Sequence, residues 1–125
     1  MALWTYKCYV DGSQPNLWRR WYDAHPEVRG KHDSVFGMLE QQVFWVKPHV
    51  KMLKNHDGLL EVILNGRVQW RIFGFQGAGK EFVVVGTGNH KANVYDPKGI
   101  LTTARGIMKD IKAGSKGAIS CERPE

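Results

Sequence analysis

Residues 59–95 read LLEVILNGRVQWRIFGFQGAGKEFVVVGTGNHKANVY. Three apolar runs rich in β-branched residues, LLEVILN, RVQWRIFGFQ and KEFVVVGTG, are separated by Asn-Gly and Gly-Ala-Gly, which punctuate antiparallel hairpins. In the second run Val68, Trp70, Ile72 and Gly74 alternate with Gln69, Arg71, Phe73 and Phe75. Arg71 is therefore expected on the opposite face from Trp70 and Ile72. The third run leads into a polar exit carrying Asn89, His90, Lys91 and Tyr95. A rigid sheet that ends in those groups is where chemistry or contact is expected.

Two glycine-rich patterns inside the stretch are decoys. GFQGAGK, Gly74–Lys80, has the spacing of a phosphate-binding loop, but Glu81 stands where a Ser or Thr would reach a magnesium ion. It also leads into an apolar strand, whereas phosphate binding needs a helix N-terminus there. A hairpin turn fits better. VVVGTGNHK lacks the third glycine and the helix of a dinucleotide site. The five histidines have no short ligand spacing and no cysteine pair to join them, so neither a metal nor a cofactor is expected.

Before the three runs, LWTYKCYV at Leu3–Val10 reads as a strand closed by an Asp-Gly-Ser turn. Asn16 is placed to cap a helix whose apolar stripe is Leu17, Trp18, Trp21 and Tyr22. Pro26 marks the junction with a second helix, in which Val28, Val35, Phe36 and Leu39 share a face that Val43 extends. Phe44–Val46 reads as a short extended piece, and Pro48 stops any helix before it. After Tyr95, Asp96 is a candidate cap with Pro97 at the first helical position. Ile100, Leu101, Ala104, Ile107, Met108 and Ile111 form the stripe of the last helix, which Gly114 ends. Residues 1–113 thus read as one domain, and residues 114–125 as a flexible tail.

The 125 residues carry a net charge of +6. Residues 1–46 balance, whereas residues 47–116 hold twelve Lys/Arg against five Asp/Glu. A positive field confined to the sheet half favours a polyanion such as nucleic acid, or an acidic protein. No apolar run is long enough to span a bilayer, and the first residues lack the features of a signal peptide. Cys8 and Cys121 do not make a disulfide framework. A cytoplasmic protein with reduced thiols is expected.

Arg71 with Asn89, His90, Lys91 and Tyr95 supplies cationic donors for a phosphate. It also supplies an imidazole or phenol to move the proton of a ribose hydroxyl and rings to stack on a base. The plainer alternative makes His90 and Lys91 solvated loop residues and packs Tyr95 on the last helix.

The order of these patterns resembles the RelE/ParE toxin superfamily of bacterial toxin–antitoxin modules, most closely its HigB-like, phage-derived branch. The residues that carry the resemblance are Leu53, GLLEV at Gly58–Val62, WRIFGF at Trp70–Phe75, EFVVVG at Glu81–Gly86, His90-Lys91, and PKGILTTA at Pro97–Ala104. It covers residues 43–112 well and residues 1–42 in layout. It implies an α+β fold, a small antiparallel sheet with two N-terminal helices and one C-terminal helix. It also implies a toxin that cleaves mRNA on the ribosome without metal, using the RNA 2′-hydroxyl as nucleophile. By position, Arg71 matches a phosphate-contacting arginine, Lys91 a basic segment, and Tyr95 an aromatic residue before the last helix; histidine can serve catalysis in HigB-like members, which brings in His90. Lys51, Lys54 and Lys80 would contact the RNA backbone, with Asn89 beside them. The implied regulator is a neighbouring antitoxin, a helix-turn-helix protein that covers the basic face. Two positions depart from the pattern: Glu61-Val62-Ile63 replaces Glu-Leu-Arg, and His90-Lys91 replaces paired lysines. The same fold also serves ParE-like inhibitors that bind DNA gyrase without catalysis, and a degenerate phage-derived binding protein is a third expectation.

Overall fold

The computed structural model describes residues 3–10, 17–114 and 117–121. The chain begins with β1 (Thr5–Val10), followed by helix α1 (Leu17–Ala24), a 3₁₀ turn (Pro26–Val28) and helix α2 (Arg29–Leu39). The three runs of the central stretch form β3 (Leu60–Leu64), β4 (Trp70–Gln76) and β5 (Glu81–Lys91), preceded by the short β2 (Val50–Met52). Then come β6 (Val94–Asp96), helix α3 (Ile100–Lys112) and β7 (Gly117–Ser120). The mixed α+β class expected from the sequence stands. Asn16, the Asp-Gly-Ser turn and residues 115, 116 and 122–125 of the expected tail lie outside the described residues.

Among the described residues the strands make one seven-stranded sheet in the order β2-β3-β4-β5-β1-β7. β4 lines one edge of β5; β1 and β6 share the other, pairing with Glu81–Val84 and Asn89–Lys91 respectively. The sheet is larger than the small antiparallel one expected, and its β1–β5 pair is parallel. Adjacent parallel strands need a long crossover, and here everything between β1 and β5 supplies it.

Both sheet faces are covered. On one, Trp18, Trp21 and Tyr22 of α1 and Val35, Phe36 and Leu39 of α2 pack on Val62, Ile72, Phe82 and Val84. On the other, Ile100, Ala104 and Met108 of α3, at helical spacing, pack on Leu59, Phe73, Phe75, Val83 and Val85. A register shift at Phe73/Gly74 marks a bulge in the β4–β5 ladder. An added Cβ on Gly74 would strike the Phe82 ring at 2.5 Å, so a larger residue there has no room.

Four expectations are corrected. Asn89, His90 and Lys91 do not lie in an irregular exit: β5 continues through them for eleven residues and turns back into β6. The turn residues Ala92 and Asn93 both have positive φ, 50° and 65°, as a mirror-image two-residue hairpin requires. Because β6 takes up Asp96, the last helix starts later than an Asp96 cap would place it, with Gly99 as its N-cap at φ 77°. Val43 does not extend the α2 face; the helix ends at Leu39, and Val43 is 53% exposed.

The fourth correction is the tail. Gly117–Ser120 is a strand antiparallel to β1, and Cys8 is joined to Cys121 by a disulfide across a separation of 113 residues. The expectation of reduced thiols fails because β7 folds back along β1 and brings the two cysteines to a Cα–Cα distance of 5.3 Å, the range a disulfide needs. No helix among the described residues is long and apolar enough to cross a membrane.

A candidate proton-transfer site at the open end of the sheet

Strand register brings the candidate groups together at the end of the sheet away from the β4–β5 turn. Ile63 lies opposite Arg71, Arg71 opposite Gly88, and His90 opposite Tyr95. Directly paired residues share a face, so Arg71, His90 and Tyr95 all lie on the α3 side. Gly88 makes this possible. A Cβ there would sit 2.8 Å from the Asp96 carbonyl oxygen, and β6 could not approach so closely.

The residue that ties them together is Glu61, on the same face of β3. The Tyr95 hydroxyl donates to Glu61 Oε2, and Arg71 Nε lies 3.7 Å from Glu61 Oε1. Arg71 also donates through Nη1 to Asn65 Oδ1 at 3.3 Å and to the Trp70 carbonyl at 2.9 Å. Glu61 and Arg71 are 4% and 8% exposed, so both charges are sunk in the sheet and compensate each other. Tyr95 is half-buried, edge-on to Phe73 at 5.6 Å, with the His90 ring 4.8 Å away. The arrangement runs inward from half-buried His90 through Tyr95 and Glu61 to Arg71.

Burial, then the hydrogen bond to Glu61 and its negative charge, raise the Tyr95 pKa well above the ordinary phenol value, with Arg71 opposing. A phenol held protonated in this way donates hydrogen bonds and does not act as a base near neutral pH. The half-buried imidazole of His90 is the group placed to exchange a proton with a bound molecule. Beside Tyr95 is a recess of about 400 Å³ lined also by His56, Lys98 and Thr102. Lys51 pairs in register with Glu61, placing an exposed ammonium on the same face, and exposed Lys54 follows β2.

Three sequence candidates fall elsewhere. Alternation along β5 turns Asn89 and Lys91 to the α1/α2 face. Asn89 there pairs with Trp70, whose ring lies 4.4 Å from that of His25. Lys80 lies in the β4–β5 turn, at the opposite end of the sheet, roughly 20 Å from Arg71 at the usual rise per strand residue. Glu61 was missed, although LEVIL does carry a signal: a carboxylate at a core-facing position two residues from Leu59 and Ile63 needs a buried partner. Among the described residues no group of three His, Cys, Asp or Glu side chains is placed to hold a metal ion.

Comparison of the chain with family models, curated proteins and solved structures finds no match.

Proposed function

We propose that this protein is the toxin of a toxin–antitoxin module, similar to the RelE/ParE superfamily, and an endoribonuclease that cleaves mRNA on the ribosome in the cytoplasm. The observation that carries the reading is the sequence of contacts His90–Tyr95–Glu61–Arg71, open at its His90 end and buried at its Arg71 end. The excess of basic residues in the same half of the chain supports a polyanionic substrate.

In the reaction, His90 takes the proton of the 2′-hydroxyl, and the 2′ oxygen forms a bond to the adjacent phosphorus. The bond from phosphorus to the 5′ oxygen breaks, and the proton returns to that oxygen from His90. The products are a 2′,3′-cyclic phosphate and a free 5′-hydroxyl. Tyr95, kept protonated by Glu61, holds the imidazole in place. Arg71 acts through Glu61. Lys51 and Lys54 hold the RNA backbone on the Glu61 face, and the opposite face presents Lys91, with Asn89 beside Trp70, to a neighbouring nucleotide. A helix-turn-helix antitoxin would regulate the protein.

Purified protein should cleave mRNA in the presence of ribosomes and chelator, and His90→Ala should lose about 100-fold or more in rate. Full activity in His90→Ala would sink the assignment. The burial of Arg71 and its pairing with Glu61 favour a second reading, because a guanidinium so engaged does not present its fork to a phosphate. In that reading the protein is a non-enzymatic ParE-like inhibitor of DNA gyrase, and expressing cells keep intact transcripts while supercoiling stops. A degenerate binding protein predicts no growth arrest.

A further inference from the structure

The segment between α2 and β2 displays apolar side chains that stand exposed among the described residues. Phe44 is 77% exposed, Val46 61% and Val43 53%, and Met52 beside them on β2 is 66% exposed. These are four of the eight large hydrophobic residues that stand exposed among the described residues. Contiguous exposed apolar surface of this kind marks interaction sites.

The display is held in place. Between Phe44 and Val46, the Trp45 ring points inward, 4.5 Å from Trp4 and 4.9 Å from Phe82, and its indole N–H donates to the Leu39 carbonyl at 3.0 Å. With Trp45 anchored, its two neighbours are turned outward by the chain itself. A surface fixed before binding loses little conformational entropy when a partner arrives.

Two grooves meet along Val46 and Met52. One, about 810 Å³, follows the edge strand β2 and is lined by Lys47, Lys51 and Lys54. The other, about 570 Å³, lies beneath Phe44 and is lined by Lys80 and Lys112 over a floor that includes Leu60 and Phe75. No Asp or Glu lines either groove among the described residues. An apolar floor with a wholly cationic rim asks for apolar side chains flanked by carboxylates.

We infer that this double groove docks an acidic amphipathic segment of a partner protein. RNA fits the lysines but not the aliphatic surface of Val43, Val46 and Met52, because phosphate contacts are polar. A second copy of the chain would bring like-charged rims together. The inference does not depend on the nuclease reading: His90 and Tyr95 line neither groove, although Lys51 and Lys54 of the first are the RNA contacts of that reading.

The test uses a synthetic peptide that forms a helix with a leucine stripe flanked by glutamates, followed by fluorescence anisotropy at low salt. The wild-type protein should bind it, and the double substitution Phe44→Ser/Val46→Ser should weaken binding about tenfold or more. Unfolding temperature should not change, because both side chains are exposed. Lys47→Glu/Lys112→Glu should also weaken binding, by a factor that shrinks as salt rises, and a peptide with lysines in place of the glutamates should bind poorly. His90→Ala should bind the peptide like wild type, which separates this result from the fate of the nuclease reading. Equal binding by wild type and Phe44→Ser/Val46→Ser overturns the inference. So does a wild-type dimer that Phe44→Ser dissociates.

Discussion

His32, on a helix, and Glu61, on a strand, are both polar side chains buried in apolar surroundings on opposite sides of the same sheet, and the two sides treat them differently. His32, on α2, is wholly buried. Trp18 Nε1 donates to its Nε2 at 2.9 Å, and its Nδ1 lies 3.0 Å from Asp33 Oδ1. Because the indole N–H can only donate, Nε2 must accept, and the proton sits on Nδ1 facing the carboxylate. Tyr22 closes the arrangement by donating to Asp33 Oδ2 at 2.8 Å. Rings of Trp18, Trp21, Tyr22 and Phe36 surround the imidazole, and the network reaches solvent at Asp33, whose side chain is 43% exposed.

Glu61 has a partner on either side too, yet its network ends at Tyr95, which lines a surface recess and packs against the half-buried His90 ring. The lesson is that burial and hydrogen bonding alone do not mark a site. The His32 network ties α1 to α2, whereas the Glu61 network lies beside the Tyr95 recess, where His90 packs on the Tyr95 ring. Substitutions should separate the two: the first class should cost stability, the second activity.

The largest effect should come from Trp18→Ala, which removes a buried indole and leaves Nε2 of His32 without its donor. A loss of about 3–5 kcal/mol in denaturant unfolding is expected, and folded molecules should retain their activity per mole. Next, Cys8→Ser or Cys121→Ser should cost about 3 kcal/mol, roughly 10–15 °C in Tm, because the disulfide closes nearly the whole chain into a loop. Reduction of the wild type should produce the same shift, and an unchanged Tm would remove the disulfide from the account. Glu61→Gln keeps the volume but leaves the Arg71 charge without its counterpart, and should cost about 1–3 kcal/mol. If the Glu61 network serves catalysis, its activity should fall further than its stability explains.

Tyr95→Phe should cost about 1 kcal/mol for one hydrogen bond. Its pH dependence sharpens the point. The raised pKa of Tyr95 means its contribution is fully present below the ordinary phenol value of about 10 and is lost as pH rises through the folded value. The stability gap between wild type and Tyr95→Phe should therefore be flat at neutral pH and narrow above pH of about 10. The smallest effect belongs to Asp57→Asn, at an exposed bridge to Arg105 and Lys109 that ties the β2–β3 turn to α3. The hydrogen bond and charge of Arg105, aided by Lys109 and Lys112, hold the Asp57 carboxyl below its usual range. Its contribution is present above the unfolded pKa and lost as pH falls through the folded one, so wild type and Asp57→Asn should converge in acid.

The sequence by itself determined the local elements, because their signals are local. Alternation in WRIFGF, the 3.6-residue stripes of α1 and α3, and the Gly-Ala-Gly turn each depend on neighbours a few residues away. The exclusion of Gly74–Lys80 as a phosphate loop belongs with them, since Glu81 and the strand that follows are adjacent. That Arg71 faces away from Trp70 was likewise legible from period-two alternation. The mixed α+β class follows from those elements.

The tertiary structure decided what depends on strands meeting at a distance. β6 was hidden because its turn is Ala92-Asn93 rather than Asn-Gly, and its pairing sent Asn89 and Lys91 to one face and His90 to the other. The β7 strand and the Cys8–Cys121 bond depend on residues 113 positions apart, which no window along the chain connects. The candidate site therefore joins His90 and Tyr95 from the polar exit of residues 59–95 to Glu61 and Arg71 from within apolar strands. Cross-strand register, which local composition does not encode, brought them together.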